Sequence, residues 1–387
     1  MKSIWLLFSL FTSIAFGSEY PDYPKEKLPI VNALPRQGEV ILDVRSTYLS
    51  GGPPIEPSGL EIGVFELATQ AETIWELPRT LPLNSKTYGC SSCTTASWAS
   101  ASNKLLLTLA DNAYLIDGTG KFAALALQMP GVSISYAASD EYAISADGGL
   151  IAFRVYTRDS GDTSREPTDL LWRSGDRRLY NDLVYEKTDG SKPLTISKVA
   201  NYSTPAWSPD AKRIACSKRI EKTDGQFTIL IADISGGGVV PSPVSFVPAT
   251  NFAPGAQITI SEIRWNPKYD VLGFLVREVR FTDTGQRQTS ALYTFNLDGS
   301  DLKPVSFGKK DFNIFAFAWS PSGDMLALRS NYESKTICSL NPLGLLDQGG
   351  RPCIISQHLF ISNADGSGLK RISKEPKFRA GDLFWIR

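Results

Sequence analysis

Histidine is almost missing from this chain: His358 is the only one in 387 residues. A single imidazole excludes a multi-histidine metal centre, and the short motif "CSSC" at Cys90 to Cys93 lacks the second cysteine pair that a zinc site would want. An excess of charge is missing too, because Lys+Arg and Asp+Glu stand at 40 each. No overall field therefore draws the protein to nucleic acid or to an anionic membrane, and no nucleic-acid partner is expected. After the first twenty or so residues no apolar run is long enough to cross a bilayer, so no transmembrane segment is expected. Helical periodicity is absent throughout, as is the G-x-S-x-G elbow of the α/β hydrolases. Thr94 stands where C-x-x-C-H would need histidine, which breaks the haem-attachment pattern. The sequence thus offers no catalytic set, no metal site and no cofactor.

What is present begins with "MKSIWLLFSLFTSIAFGSEY". Lys2 gives a positive start, Ile4 to Phe16 a short apolar core, and Ala15 and Gly17 the small residues before a cut ahead of Ser18. Residues 1–17 read as a secretory signal peptide. No cysteine follows the cut, so a lipid anchor is not expected and the mature chain should be exported, periplasmic or secreted. Residues 18–38 carry four prolines and no periodicity, the composition of an extended linker.

From Glu39 to Arg387 short alternating runs are broken by Gly, Pro, Asn and Asp. The segments "TPAWSPDAKRIACSK", "IRWNPKYDVLGFLV" and "FAWSPSGDMLALRS" share one grammar: a Trp anchor, a tight turn, then an apolar run. Trp207, Trp265 and Trp319 are its clear anchors, with Trp98 and Ile144 as degenerate ones. Each run leads to a third run ending near Asp-Gly, such as "LYTFNLDGS" or "LFISNADGS", and then to a short fourth. That makes four antiparallel strands per unit. The chain ends on "GDLFWIR", an anchor with nothing after it, and the domain starts on "EVILDVR", a second strand without an anchor. Joined, the two ends make one whole unit. The expected fold is an all-β, six-bladed β-propeller, closed when the C-terminal strand pairs into the first blade.

These W-S-P-D-G-type repeats resemble those of TolB-like propellers, and of the propeller domains of prolyl-oligopeptidase-type enzymes. The resemblance covers residues 39–387 and is confined to the propeller, since TolB also carries an N-terminal α/β domain for which residues 18–37 are too short. It implies that each anchor Trp ends the innermost strand of a blade and packs between neighbouring blades.

Four-stranded units put the first-to-second and third-to-fourth turns on one face of the disc. The second-to-third loops and the links between units fall on the other face, together with the long insertions 50–59, 78–95, 157–181, 247–259 and 331–357. Binding is expected on that loop-rich face, where Trp172 and Tyr180 are candidate contacts. Three residues before the anchors stand Thr95, Glu141, Thr204, Glu262, Ala316 and Asp382. Glu141, Glu262 and Asp382 would form an acidic ring at the channel mouth, with the small Thr95, Thr204 and Ala316 between them. Unpaired, such a ring could attract a cation or the basic end of a peptide; the alternative is that each carboxylate meets a local Arg or Lys.

Of the five cysteines, Cys216 lies inside an apolar run and reads as a buried thiol. Disulfides are expected for Cys90–Cys93 and for Cys338–Cys353, with cross-pairing among the four left open. The functional expectation is a monomeric, non-enzymatic exported propeller that binds a protein or peptide partner. The alternatives are a hydrolase or lyase acting on peptide or glycan, and a carbohydrate-binding module.

Overall fold

The computed structural model describes residues 39–46, 60–76, 94–109, 112–117, 122–125, 142–157, 180–188, 194–198, 205–219, 227–234, 241–246, 257–282, 285–332, 336–338, 353–355, 357–373 and 381–386. The signal-peptide and linker readings lie outside the described residues. Strands β1 (Val40–Ser46), β2 (Leu60–Glu66) and β3 (Glu72–Glu76) come first. A second sheet holds β4 (Thr94–Ala99), β5 (Lys104–Leu109), β6 (Asn112–Ile116) and β7 (Phe122–Leu125). The third holds β8 (Tyr142–Ile144), β9 (Leu150–Thr157), β10 (Tyr180–Lys187) and β11 (Leu194–Lys198). In the fourth are β12 (Ala206–Trp207), β13 (Arg213–Arg219), β14 (Phe227–Asp233) and β15 (Pro241–Phe246). The fifth contains β16 (Gln257–Trp265), β17 (Val271–Thr282), β18 (Gly285–Asn296) and β19 (Lys303–Pro304). β20 (Ile314–Trp319) and β21 (Met325–Ser330) open the sixth sheet. A separate ribbon follows, β22 (Thr336–Cys338) with β23 (Cys353–Ile355), before β24 (His358–Asn363) and β25 (Lys370–Arg371) complete the sheet. Last comes β26 (Gly381–Ile386), which pairs antiparallel with β1 from Arg45↔Gly381 to Val40↔Ile386 and turns β1–β3 into a four-stranded sheet.

The first strands of the six four-stranded sheets, β26, β4, β8, β12, β16 and β20, touch in that cyclic order, and β20 touches β26 again. Apolar clusters lie between successive sheets around the ring, and one of them joins the sixth sheet to the first through Ala316, Ala327, Leu383 and Trp385. The arrangement is all-β and propeller-like. Each sheet packs between two neighbours, so the second strands are apolar on both sides: Leu105, Leu106 and Leu107 are all buried, as are Leu326, Ala327 and Leu328.

Residue size alternates along these strands for a packing reason. Each anchor leans on the sheet before it, and for four of the five Trp anchors the residue packed with it is small. Ala152 faces Trp207, Ala215 faces Trp265, and Ala327 faces Trp385. Gly273 is the tightest case, because a Cβ there would sit 2.9 Å from the Phe317 ring and 3.1 Å from Trp319. The second sheet inverts the rule, with Leu106 packed against the smaller anchor Ile144. Beside Trp98 stands the larger Leu42, and that Trp is only partly buried.

The indole N–H groups stitch the same junctions. Trp207 Nε1 donates to the Ala143 carbonyl at 3.0 Å, Trp265 to Ala206 at 2.9 Å and Trp319 to Arg264 at 3.4 Å. In each case the acceptor is the residue just before the preceding anchor. Trp385 departs from the series and donates to Glu39 Oε2 at 3.2 Å.

The turns explain the Ser-x-Asp signature. Ser208 Oγ accepts from Arg213 N at 2.9 Å and donates to Asp210, whose Oδ1 accepts from Lys212 N at 3.2 Å. Ser145 and Asp147 repeat this set onto Leu150 N and Gly149 N. Side-chain oxygens thereby satisfy turn amides that the ladder cannot reach. Asn266 replaces the serine in the fifth sheet: its Oδ1 accepts from Lys268 N and Tyr269 N, and its Nδ2 donates to Gly323 O at 2.7 Å. That last bond crosses to the neighbouring sheet.

Candidate functional site at the centre of the ring

Glu262 stands on β16 three residues before Trp265, just after a bulge at Ser261 where the register with β17 shifts. Arg264, two residues on, shares its strand face, and Arg264 Nε donates to Glu262 Oε1 at 2.5 Å. Both side chains are largely covered, at 21% and 15% exposure. The Arg264 guanidinium lies 4.9 Å from the ring centre of Phe384 on β26. The β20 sheet separates β16 from β26 around the ring, so Arg264 reaches past one sheet to the next. Asp382, two residues before Phe384, accepts from the Ala96 amide of β4 at 2.8 Å.

Burial pushes the Glu262 carboxyl above its usual range; Arg264 and Arg277 counter this, and the negative charge of Asp382 adds to it. The two carboxylates therefore sense each other. They do not stand bare, however. Arg277 on β17 donates from Nη2 to the carbonyl of Phe315 at 3.3 Å. Phe315 occupies the bulge of β20, four residues before Trp319, just as Ser261 does before Trp265. A bulge leaves backbone groups outside the ladder, and Arg277 satisfies one of them. Burial lowers the pKa of Arg277, with Glu262 opposing. Arg329 on β21 pairs with Asp43 on β1 across the closing junction, both side chains essentially buried. Burial brings the Arg329 pKa down to about 10, with Asp382 opposing. Three carboxylates thus meet three guanidinium groups.

Of the sequence candidates, Glu262 and Asp382 come together at the centre. Glu141, Thr204, Trp172, Cys90 and Cys93 lie outside the described residues. Thr95 and Tyr180 are placed by backbone register alone, opposite Thr108 and Thr157. His358 is a buried strand residue with Nδ1 3.4 Å from Ser373 Oγ. Among the described residues no three of His, Cys, Asp and Glu group as metal ligands. Sequence reading missed Arg264, Arg277, Arg329 and Asp43. One signal was available for each acidic partner: Glu262 and Arg264 share a strand face, and Asp43 interrupts the apolar run "VILDV".

No protein-family model matches the chain, and no curated protein matches it. Among solved structures, a TolB candidate from Agrobacterium tumefaciens superposes with a TM-score of 0.50 at 13% identity, covering 90% of this chain and 98% of that one. A protein from Lactobacillus plantarum superposes with a TM-score of 0.46 at 13% identity over 91% of this chain and 100% of its own. An oligogalacturonate lyase from Vibrio parahaemolyticus gives 0.44 at 10% identity over 86% and 78%. At 13% identity the likeness to the Agrobacterium protein is one of fold.

Proposed function

We propose that this protein is an exported, six-bladed, non-enzymatic propeller that binds a protein or peptide partner through its loop-rich face and the mouth of its centre. Each four-stranded sheet is read as one blade. The carrying observation is the difference between the two faces. Turns on one face are short and locked by their own side chains. The strand ends that bound the long connections stand at the other face, with the β22–β23 ribbon and the tip of the β17–β18 hairpin. That hairpin runs three residue pairs, Arg280↔Arg287 to Thr282↔Gly285, beyond the last residue that β16 covers. A rigid scaffold with variable, projecting segments at one end is suited to recognition. Glu262 and Asp382 supply polar contacts at the mouth, with Thr95, Thr204, Glu141, Trp172 and Tyr180 as further candidates. Three of the described nucleophiles are engaged elsewhere: Cys216 is buried with its thiol pushed up to about 12, and Ser145 and Ser208 hold turns.

One observation favours a second reading, an enzyme acting on peptide or glycan. Glu262 is a carboxyl with a raised pKa beside a second carboxylate, the pattern of an acid–base pair. Capture separates the two. The immobilised protein is exposed to an exported-protein fraction beside a variant in which residues 280–287 give way to a two-residue Asn-Gly turn between Val279 and Gln288. The binding reading expects a partner held by the wild type and lost by the variant. Turnover of a glycan or peptide library that Glu262→Gln abolishes would replace it with the enzyme reading.

A further inference from the structure

Among the described residues the β22–β23 ribbon joins no larger sheet and shows three residue pairs, Thr336↔Ile355, Ile337↔Ile354 and Cys338↔Cys353. A ribbon this short is marginal by itself in water. Its last pair brings together two of the five cysteines, directly opposite one another. Opposed residues of an antiparallel pair have Cα atoms roughly 4.5–5.5 Å apart, inside the span of roughly 4.4–6.8 Å that a disulfide bridges. We propose that Cys338 and Cys353 form a cross-strand disulfide that clamps the base of the insertion between β21 and β24.

The step is a thiol–disulfide exchange with a disulfide-type oxidant. One thiolate attacks the oxidant's disulfide to give a mixed disulfide, and the second thiolate then displaces the oxidant's sulfur. The protein loses two protons and two electrons, and the oxidant is reduced to its dithiol. Such oxidants act in the compartments to which the N-terminal segment would direct the chain. Cys216 does not compete, since it is buried between two sheets and burial raises its thiol to about 12, leaving almost no thiolate. The bond would tie down one connection on the face assigned to binding. That consequence rests on the functional reading above; the bond itself does not.

Differential alkylation tests it on the full exported chain purified without reductant. Free thiols are labelled under denaturing conditions, the rest after reduction with a second reagent, and the peptides are mapped by mass spectrometry. The expected result is a linked Cys338–Cys353 peptide, with Cys216 labelled in the first step. Cys338→Ser should then shift Cys353, and no other cysteine, into the first label. Linkage of Cys338 to Cys90 or Cys93, or first-step labelling of both ribbon cysteines in the wild type, overturns the proposal. Neither result depends on partner binding, so the bond and the functional reading fail separately.

Discussion

The two faces of the ring are built by different rules. On the turn face the chain spends its polar side chains on itself. Ser208, Asp210, Asn266, Ser320 and Asp324 bond turn amides or one another, and Asn266 and Ala101 reach across to the next sheet. The Asn-x-Asp-Gly-Ser turns make one set of bonds twice: Ser300 N donates to Asp298 and Ser367 N to Asp365, while Gly299 and Gly366 take positive φ. At the opposite end the polar groups converge on the centre: Glu262 pairs with Arg264 on its own strand, while Asp382 and Asp43 find partners on other sheets. Turn bonds on one face and buried charge pairs, some of them between sheets, on the other teach where this protein stores rigidity and where it leaves variable surface.

Substitutions should separate the faces, with stability falling for one and binding for the other. The largest effect is expected for Gly323→Val on the turn face. Its φ is +77°, and a Cβ there would lie 2.3 Å from Asn266 Oδ1. Strain and clash together should cost roughly 3 kcal/mol or more, read as a lower midpoint in urea. Asn266→Ala removes three bonds at once and should cost about 1–3 kcal/mol by the same assay. Either variant melting like the wild type would contradict the assignment of rigidity to this face. Shortening the β17–β18 hairpin should change stability by less than about 1 kcal/mol while losing partner capture.

Acid supplies a subtler contrast. Hydrogen bonds from Ser145 and Gly149 hold Asp147 below its usual range, and those from Ser300 and Ser367 do the same for Asp298 and Asp365. Lowered folded-state values mean that the stability from these groups is present above the unfolded carboxylate pKa and is lost as pH falls through the folded one. Glu262 is raised by burial, so its contribution has the opposite sign: it is full below the unfolded glutamate value and is lost as pH rises through the folded one. On lowering the pH, Glu262 should therefore protonate first and weaken its pair with Arg264 while the turns still hold. Partner affinity should change at a higher pH than the unfolding midpoint, as measured by binding and circular dichroism on one pH series. Coincident transitions would show that Glu262 plays no separate part.

The anchors, the four-strand unit and the pairing of β26 with β1 were legible because they repeat, and repetition reports local geometry. The small residue that stands against four of the anchor Trp residues was equally present in "LIAFRV", "RIACSK", "VLGFLV" and "MLALRS", but its meaning needs two sheets in contact. Charge pairing at the centre was less legible. Asp382 bonds Ala96, 286 positions away, and Arg329 meets Asp43 because the ring closes. No window of sequence carries such partners. Of the two alternatives for the acidic positions, bare or paired, Glu262 takes the paired one with Arg264, and Asp382 accepts from a backbone amide.

Amide hydrogen exchange of the protein alone and with its captured partner tests the assignment of binding to the loop-rich face most directly. The account predicts new protection over the outer part of the β17–β18 hairpin and around Glu262 to Arg264. Turns 266–270 and 296–302 should be unchanged, although Tyr269 and Leu302 there are exposed at 47% and 38%. Protection confined to those turns would place the partner on the opposite face and contradict the account.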